Sequence, residues 1–222
     1  MAILLGILNI PLNQFFFFIG VHLSTAPNAG LAYALTPAFV LVIAILFLKE
    51  SHNWKKILGV IVAIGGDIII MLEHGINFSS DYFIGNVLLM LASFTWALYT
   101  VLGRDFTRKY GAIYATALSM ILGLVFYIPV FLFTKDKIDL TVITTINWLQ
   151  ILYIGILTSG ASYLIWLYAL KKMEASKLAV FSNLQPVFTI ILAMIFLGTH
   201  LTMPFVIGGV LIIGGVVLTQ RG

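Results

Sequence analysis

Polar residues along this chain come in short groups, and long apolar runs fill the space between them. The stretch 34–50, ALTPAFVLVIAILFLKE, carries no charge until Lys49. Reading apolar runs against polar breaks predicts eight helices, at about 3–22, 28–48, 56–72, 83–103, 112–133, 147–170, 178–197 and 203–219. Each is close to the ~20 residues needed to span ~30 Å of hydrocarbon. The loops between them are short, so neighbouring helices form antiparallel hairpins. The expectation is an all-α integral membrane fold with eight transmembrane helices.

Composition agrees with that pattern. The 222 residues are 61% hydrophobic and 9% charged, with a mean hydropathy of +1.11. A soluble domain carries roughly 25% charged residues to cover its surface. With no cysteines, the chain has no disulfide framework, zinc knuckle or thiol nucleophile. The basic pI of 9.3 reflects loop lysines and arginines, not a nucleic-acid stripe. One set of alternate loops and the C-terminal segment hold Lys49, Lys55, Lys56, Arg104, Arg108, Lys109, Lys171, Lys172, Lys177 and Arg221; the other set holds Lys135 and Lys137. That asymmetry predicts both termini on the cytoplasmic side. Trp54 and Trp148 fall at predicted span ends, where aromatic belts form.

A near copy of the opening stretch, NLQPVFTIILAMIFLGT, occupies 183–199. Sliding the chain by 149 residues pairs Pro37 with Pro186, Phe39 with Phe188, Phe47 with Phe196, Gly59 with Gly208 and Gly65-Gly66 with Gly214-Gly215. At the same offset Asn13 meets Ser162, Gln14 meets Tyr163 and Phe17 meets Trp166. Five helices separate the copies, so they cross the membrane in opposite directions. The loop after the first copy, KESHNWKK, is basic, and its counterpart GTHLT has no Lys or Arg. Inverted repeats of this kind belong to alternating-access carriers, with substrate near the midplane between the halves. The expected division is 1–73 for an incomplete first repeat of three helices and 83–222 for a second repeat of five.

ALTPAFVLVIAILFLKE, SFTWALYTVLGRDFTRKYG and ASYLIWLYALKKMEASKLAVFSNLQPVFTIILAMIFLG together resemble the EamA-type branch of the drug/metabolite transporter superfamily. The resemblance covers nearly the whole chain. It implies two inverted five-helix repeats around a central cavity, and export or exchange of small metabolites. It also implies ten helices, with the opening helix here matching the third, so the first two are expected to be missing. Thr199 stands where the family usually carries Glu. The implied setting is a bacterial or archaeal plasma (inner) membrane, with no cofactor or metal.

Proline lacks an N–H and displaces the carbonyl four residues earlier, so Pro37 frees the carbonyl of Tyr33 and Pro186 that of Ser182. Freed carbonyls at membrane depth are tolerated beside protein or a water-filled cavity. Polar and aromatic residues cluster around both. Ser182 and Pro186 share a face with Asn183 beside them; Tyr33, Thr36 and Pro37 form the equivalent group. In helix six Ser159, Ser162, Tyr163 and Trp166 follow helical spacing. In helix one Asn9, Asn13 and Phe17 do the same with Gln14 alongside, and in helix four Trp96 and Tyr99 lie three apart. Singly, such residues also act as hydrogen-bonding glue between helices, worth about 1 kcal/mol. As a set they predict a polar cavity with aromatic walls, suited to amino acids, nucleobases or drug-like amphipathic solutes. Asp67 is the one carboxylate well inside a predicted span and is the candidate proton-coupling group. Against that, it lies six residues from the boundary at Glu73, and the resemblance places its helix at the periphery.

Gly59, Ala63 and Gly66 share one face of helix three; Gly208, Ile212 and Gly215 share one face of helix eight. Such faces suit close helix packing or an oligomer contact. An intramembrane enzyme is disfavoured on inventory. His22, His52, His74 and His200 lie in loops or at span ends, and Asp67 is a single intramembrane acid. LTSG at 157–160 lacks the first glycine of a serine-hydrolase elbow. The remaining alternative is a non-transporting membrane scaffold or an inactive truncated fragment.

Overall fold

The computed structural model describes residues 1–73, 75–76, 78–134, 144–198, 200 and 202–222. His74, Lys135, Lys137 and Thr199, on which the sequence reading drew, lie outside the described residues. Every regular element among the described residues is helical. Eight rods follow in chain order: α1 Ala2–His22, α2 Ala26–Leu48, α3 Trp54–Glu73, α4 Phe83–Tyr110, α5 Ala112–Thr134, α6 Thr145–Lys172, α7 Ala175–Phe196 and α8 Met203–Gln220. All but α3 are long and apolar enough to cross a membrane. The 20 residues of α3 also match a bilayer, but they include Lys55, Lys56, Asp67 and Glu73.

Four rods depart from regular α-helix where their sequences require it. Pro11 sits inside α1, and the chain accommodates its missing N–H with a π-helical segment, Leu8–Gln14. A second π segment, Ile154–Ala161, lies in α6. The prolines of the repeated motif do more than bend their helices. In α2 a new helix starts at Thr36 with Pro37 in its first turn, after Leu35 leaves ideal helical geometry at φ −79°, ψ −10°. In α7 the stretch Val180–Leu184 is 3-10, Leu184 stands at φ −75°, ψ −12°, and a new helix starts at Gln185 with Pro186 in its first turn. Proline is well placed there because first-turn N–H groups have no intrahelical acceptor. The two half-helices also end alike: Lys49 (φ 52°) and Gly198 (φ 66°) are left-handed. Leu35 and Leu184, and Lys49 and Gly198, are positions related by the offset of 149.

The closest helix pairing joins α3 to α8. An added Cβ at Gly66 would lie 2.5 Å from the Gly208 carbonyl oxygen, and one at Gly208 would lie 2.6 Å from that of Gly66. An added Cβ at Gly215 would lie 2.5 Å from the Gly59 carbonyl oxygen. Gly59 thus faces Gly215 while Gly66 faces Gly208, the exchange that a two-fold axis between the helices produces. These glycine faces are covered by each other. They pack helix against helix within the chain, the use that close packing of small residues predicts. Leu41, Val60, Ile70, Val187 and Ile212 close the core around this joint. A second core centres on Tyr99, Val40, Leu167, Leu170 and Ala179.

Hydrogen bonds gather the basic loops at one end of the bundle. Asn53 donates to the Gly222 carbonyl at 3.2 Å, and Lys177 and Gln220 exchange bonds at 3.2 and 2.7 Å. Trp54 is 65% exposed at that end, as a belt residue would be.

Replacing Gly66 by Val tests the α3–α8 joint. The added bulk meets backbone, which cannot swing aside, so the expected loss is of the overpacking size, about 1–3 kcal/mol. It is read as a lowered melting temperature in detergent. Gly65→Val is expected to be neutral, because a Cβ there meets nothing within 4 Å.

Candidate functional site

Polar and aromatic side chains converge in the middle of the bundle from α1, α2, α4 and α6. The π segment of α1 turns Asn13 inward, where it is buried. Its amide donates to the Ala92 carbonyl at 2.7 Å and to the Tyr33 hydroxyl at 3.1 Å. Phe17, one turn further, stacks edge-on against Tyr33 at 5.5 Å between ring centres. Gln14 donates to the Tyr163 hydroxyl at 3.4 Å, across an offset of 149 residues. Tyr163 packs on Trp96 at 5.1 Å, and Trp96 stacks on Tyr99 at 5.4 Å and lies 5.8 Å from Trp166. The Trp166 indole N–H donates to the Thr100 hydroxyl at 3.3 Å. Beside this group Thr36, at the first break, shares a 2.8 Å hydrogen bond with Ser93. Nine sequence candidates are thus brought together: Asn13, Gln14, Phe17, Tyr33, Thr36, Trp96, Tyr99, Tyr163 and Trp166.

The other candidates make no side-chain hydrogen bond or ring contact with this group among the described residues. Pro37 is buried beneath the break. Ser182 bonds locally to the Ala179 carbonyl at 2.6 Å, next to half-buried Pro186. Asn183 is 2% exposed, and neither amide atom has a hydrogen-bond partner among the described residues. Asn9, at 1% exposure, is in the same condition. The expected stripe in α6 is interrupted. Ser159 falls within the π segment, while Ser162, just past it, is exposed and donates back to the Leu157 carbonyl, five residues earlier. The π segment changes the helical period at Ser159, while Ser162 shares the regular helix of Tyr163 and Trp166 and is exposed. Asp67 lies on α3, outside the aromatic group, 2% exposed and with Oδ2 unpartnered among the described residues.

Spacing on α4 could have found two residues that the sequence reading missed. Ser93 and Thr100 continue the Trp96 stripe at i−3 and i+4, and both are fully buried. A third omission lies at the basic end. Glu50 closes the opening stretch, next to Lys49. In the structure Oε1 accepts from Arg104 Nη1 at 2.7 Å and from the Ala175 N–H at 2.7 Å, and Oε2 accepts from the Ser176 N–H and hydroxyl. The carboxylate therefore ties α2 to α4 and caps the N-terminal turn of α7. Next to it Lys56, fully buried, pairs with Glu174 and donates to Ser51. Arg104 and Ser176 carried no local signal, because their partner is distant in sequence.

Several known proteins share this architecture. The sequence matches the EamA-like transporter family over residues 1–72 and 83–221. It is 33% identical over 222 residues to the uncharacterized transporter YyaM of Bacillus subtilis, covering 99% of this chain and 72% of that protein. It is 32% identical over 216 residues to an uncharacterized transporter of Archaeoglobus fulgidus, covering 97% and 74%. A solved crystal structure at 18% identity superposes with a TM-score of 0.83 over 99% of this chain and 76% of that one.

Asn13 and Gln14 differ in what their loss should do. Asn13→Leu leaves the Tyr33 hydroxyl and the Ala92 carbonyl without their buried donor, so a loss of about 1–3 kcal/mol is expected in detergent unfolding. Gln14→Leu removes one long contact and is expected to change stability by less than about 0.5 kcal/mol.

Proposed function

This chain belongs to the EamA-like transporter family, and from that premise we propose that it is a secondary-type carrier of small metabolites working by alternating access. The substrates are amino acids, nucleobases or drug-like amphipathic solutes, moved by efflux or exchange. One observation carries the reading: side chains from four helices meet as a polar and aromatic group inside a bundle whose surroundings are apolar. Intramembrane polar groups are costly, and they persist where a pathway needs them. Stacked indole and phenol rings offer flat faces to a ring or an amphipathic side chain. The amides of Asn9 and Asn183, unpartnered among the described residues, offer donors and acceptors.

The reciprocal contacts of α3 with α8 and the matched breaks at Leu35 and Leu184 support reading the chain as two inverted halves. In that reading the basic end faces the cytoplasm, and the Glu50 and Lys56 ion pairs hold the cytoplasmic side shut. Opening to that side then requires the Ala175–Ser176 turn to leave the Glu50 carboxylate. Asp67 is the proposed proton-coupling group, supported by its burial in a span and by an Oδ2 with no hydrogen-bond partner among the described residues.

Counter-flow in proteoliposomes tests the proposal, with radiolabelled amino acids and nucleobases as the panel. Preloaded unlabelled substrate should drive accumulation of at least one labelled member, and Trp96→Ala should reduce it about tenfold or more. An imposed pH gradient should raise the wild-type rate and leave Asp67→Asn unchanged. No counter-flow with any member would favour the scaffold reading.

A further inference from the structure

A groove of about 820 Å³ runs between α5 and α6 at the basic end of the bundle, away from the aromatic group. Its walls are apolar, with Ala117 and Ile165 along its length, and three tyrosines, Tyr110, Tyr114 and Tyr168, line it together with Lys171. Two more ammonium groups flank it. Lys109 lies 5.1 Å from the centre of the Tyr110 ring, and Lys172 lies 5.9 Å from that of Tyr168. No carboxylate is among the residues lining it. We propose that this groove is a binding site for one anionic phospholipid of the adjacent leaflet.

The chemistry divides along the length of the groove. An acyl chain would lie against Ala117 and Ile165, and the phosphate would sit among Lys109, Lys171 and Lys172. A soluble anion would gain nothing from the apolar walls. A zwitterionic lipid would use the walls but bring its own cation to three lysines. Tyrosines at this level suit the headgroup boundary, where one end of the ring is apolar and the other wet. Basic pockets between helices on the cytoplasmic side are a recognised form of anionic-lipid site. The assignment of leaflet rests on the sidedness proposed above; the site itself does not depend on transport.

Native mass spectrometry of the detergent-purified chain tests this, with dioleoyl phosphatidylglycerol and dioleoyl phosphatidylcholine as probes. The expected result is a single adduct that forms with phosphatidylglycerol at several-fold lower lipid concentration than with phosphatidylcholine. Lys171→Gln should weaken it about fivefold, the worth of one lysine beside an anionic headgroup, and Lys171→Arg should keep it. Ala117→Trp should abolish the preference by filling the groove with no change in charge. Lys55→Gln, at the same end but outside the groove, should leave it intact. Equal binding of the two lipids would overturn the proposal, as would an adduct that survives Ala117→Trp. So would an equal loss in Lys55→Gln, or a dimer that Ala117→Trp dissociates, which would give the groove to a second copy of the chain.

Discussion

Glu50 is the buried charge on which the basic end is organised. It is 7% exposed and accepts bonds from an arginine on α4 and from two residues opening α7. Removing one partner from such a pair strands the other, at a cost of about 3–5 kcal/mol. The position of Glu50 is itself set by the turn before it. Lys49 takes a left-handed conformation, and its own N–H and that of Glu50, at 3.2 Å, both reach back to the Ala44 carbonyl. That turn ends the same half-helix that Pro37 begins. The proline break, the half-helix and the carboxylate thus form one unit that reaches from the centre of the bundle to its end.

The bilayer explains why such a unit is needed. Inside hydrocarbon, backbone groups must be satisfied within the chain, and irregular backbone is tolerated only where protein or a cavity surrounds it. Here four rods carry irregular segments, and all four contribute to the polar middle or its flanks. Buried hydroxyls and amides take up the slack around the first break, where Thr36 meets Ser93 and Tyr33 meets Asn13. The scaffold opposite, α3 against α8, is held by backbone-to-backbone packing of glycines and has little freedom to move. One side of the molecule is closely packed, and the other is interrupted and polar, a division that suits a carrier.

The helices were legible because a bilayer imposes a simple length rule on apolar runs. The breaks were legible because proline at membrane depth has few other meanings, and the glycine faces because their spacing is helical. The site was legible only in part. Tyr163 and Trp166 were found by spacing, but Ser159 was grouped with them on a period that the π segment of α6 does not keep, and Ser162 turns its hydroxyl back to its own helix. No sequence pattern marks that segment as π-helical. Glu50 gave no local sign of its partners, because they lie 54 to 126 residues away. Long-range pairing of single charged residues leaves no periodic trace.

The central claim is that the broken helices border an aqueous path through the membrane. The chain has no cysteine, so single cysteines report without background. Ser182→Cys, beside the second break, and Phe196→Cys, 77% exposed on the apolar surface, would be treated with a membrane-impermeant thiol reagent in sealed vesicles. The account expects labelling at 182 that substrate slows, and none at 196. Equal labelling at both positions, or labelling at 196 alone, would contradict it.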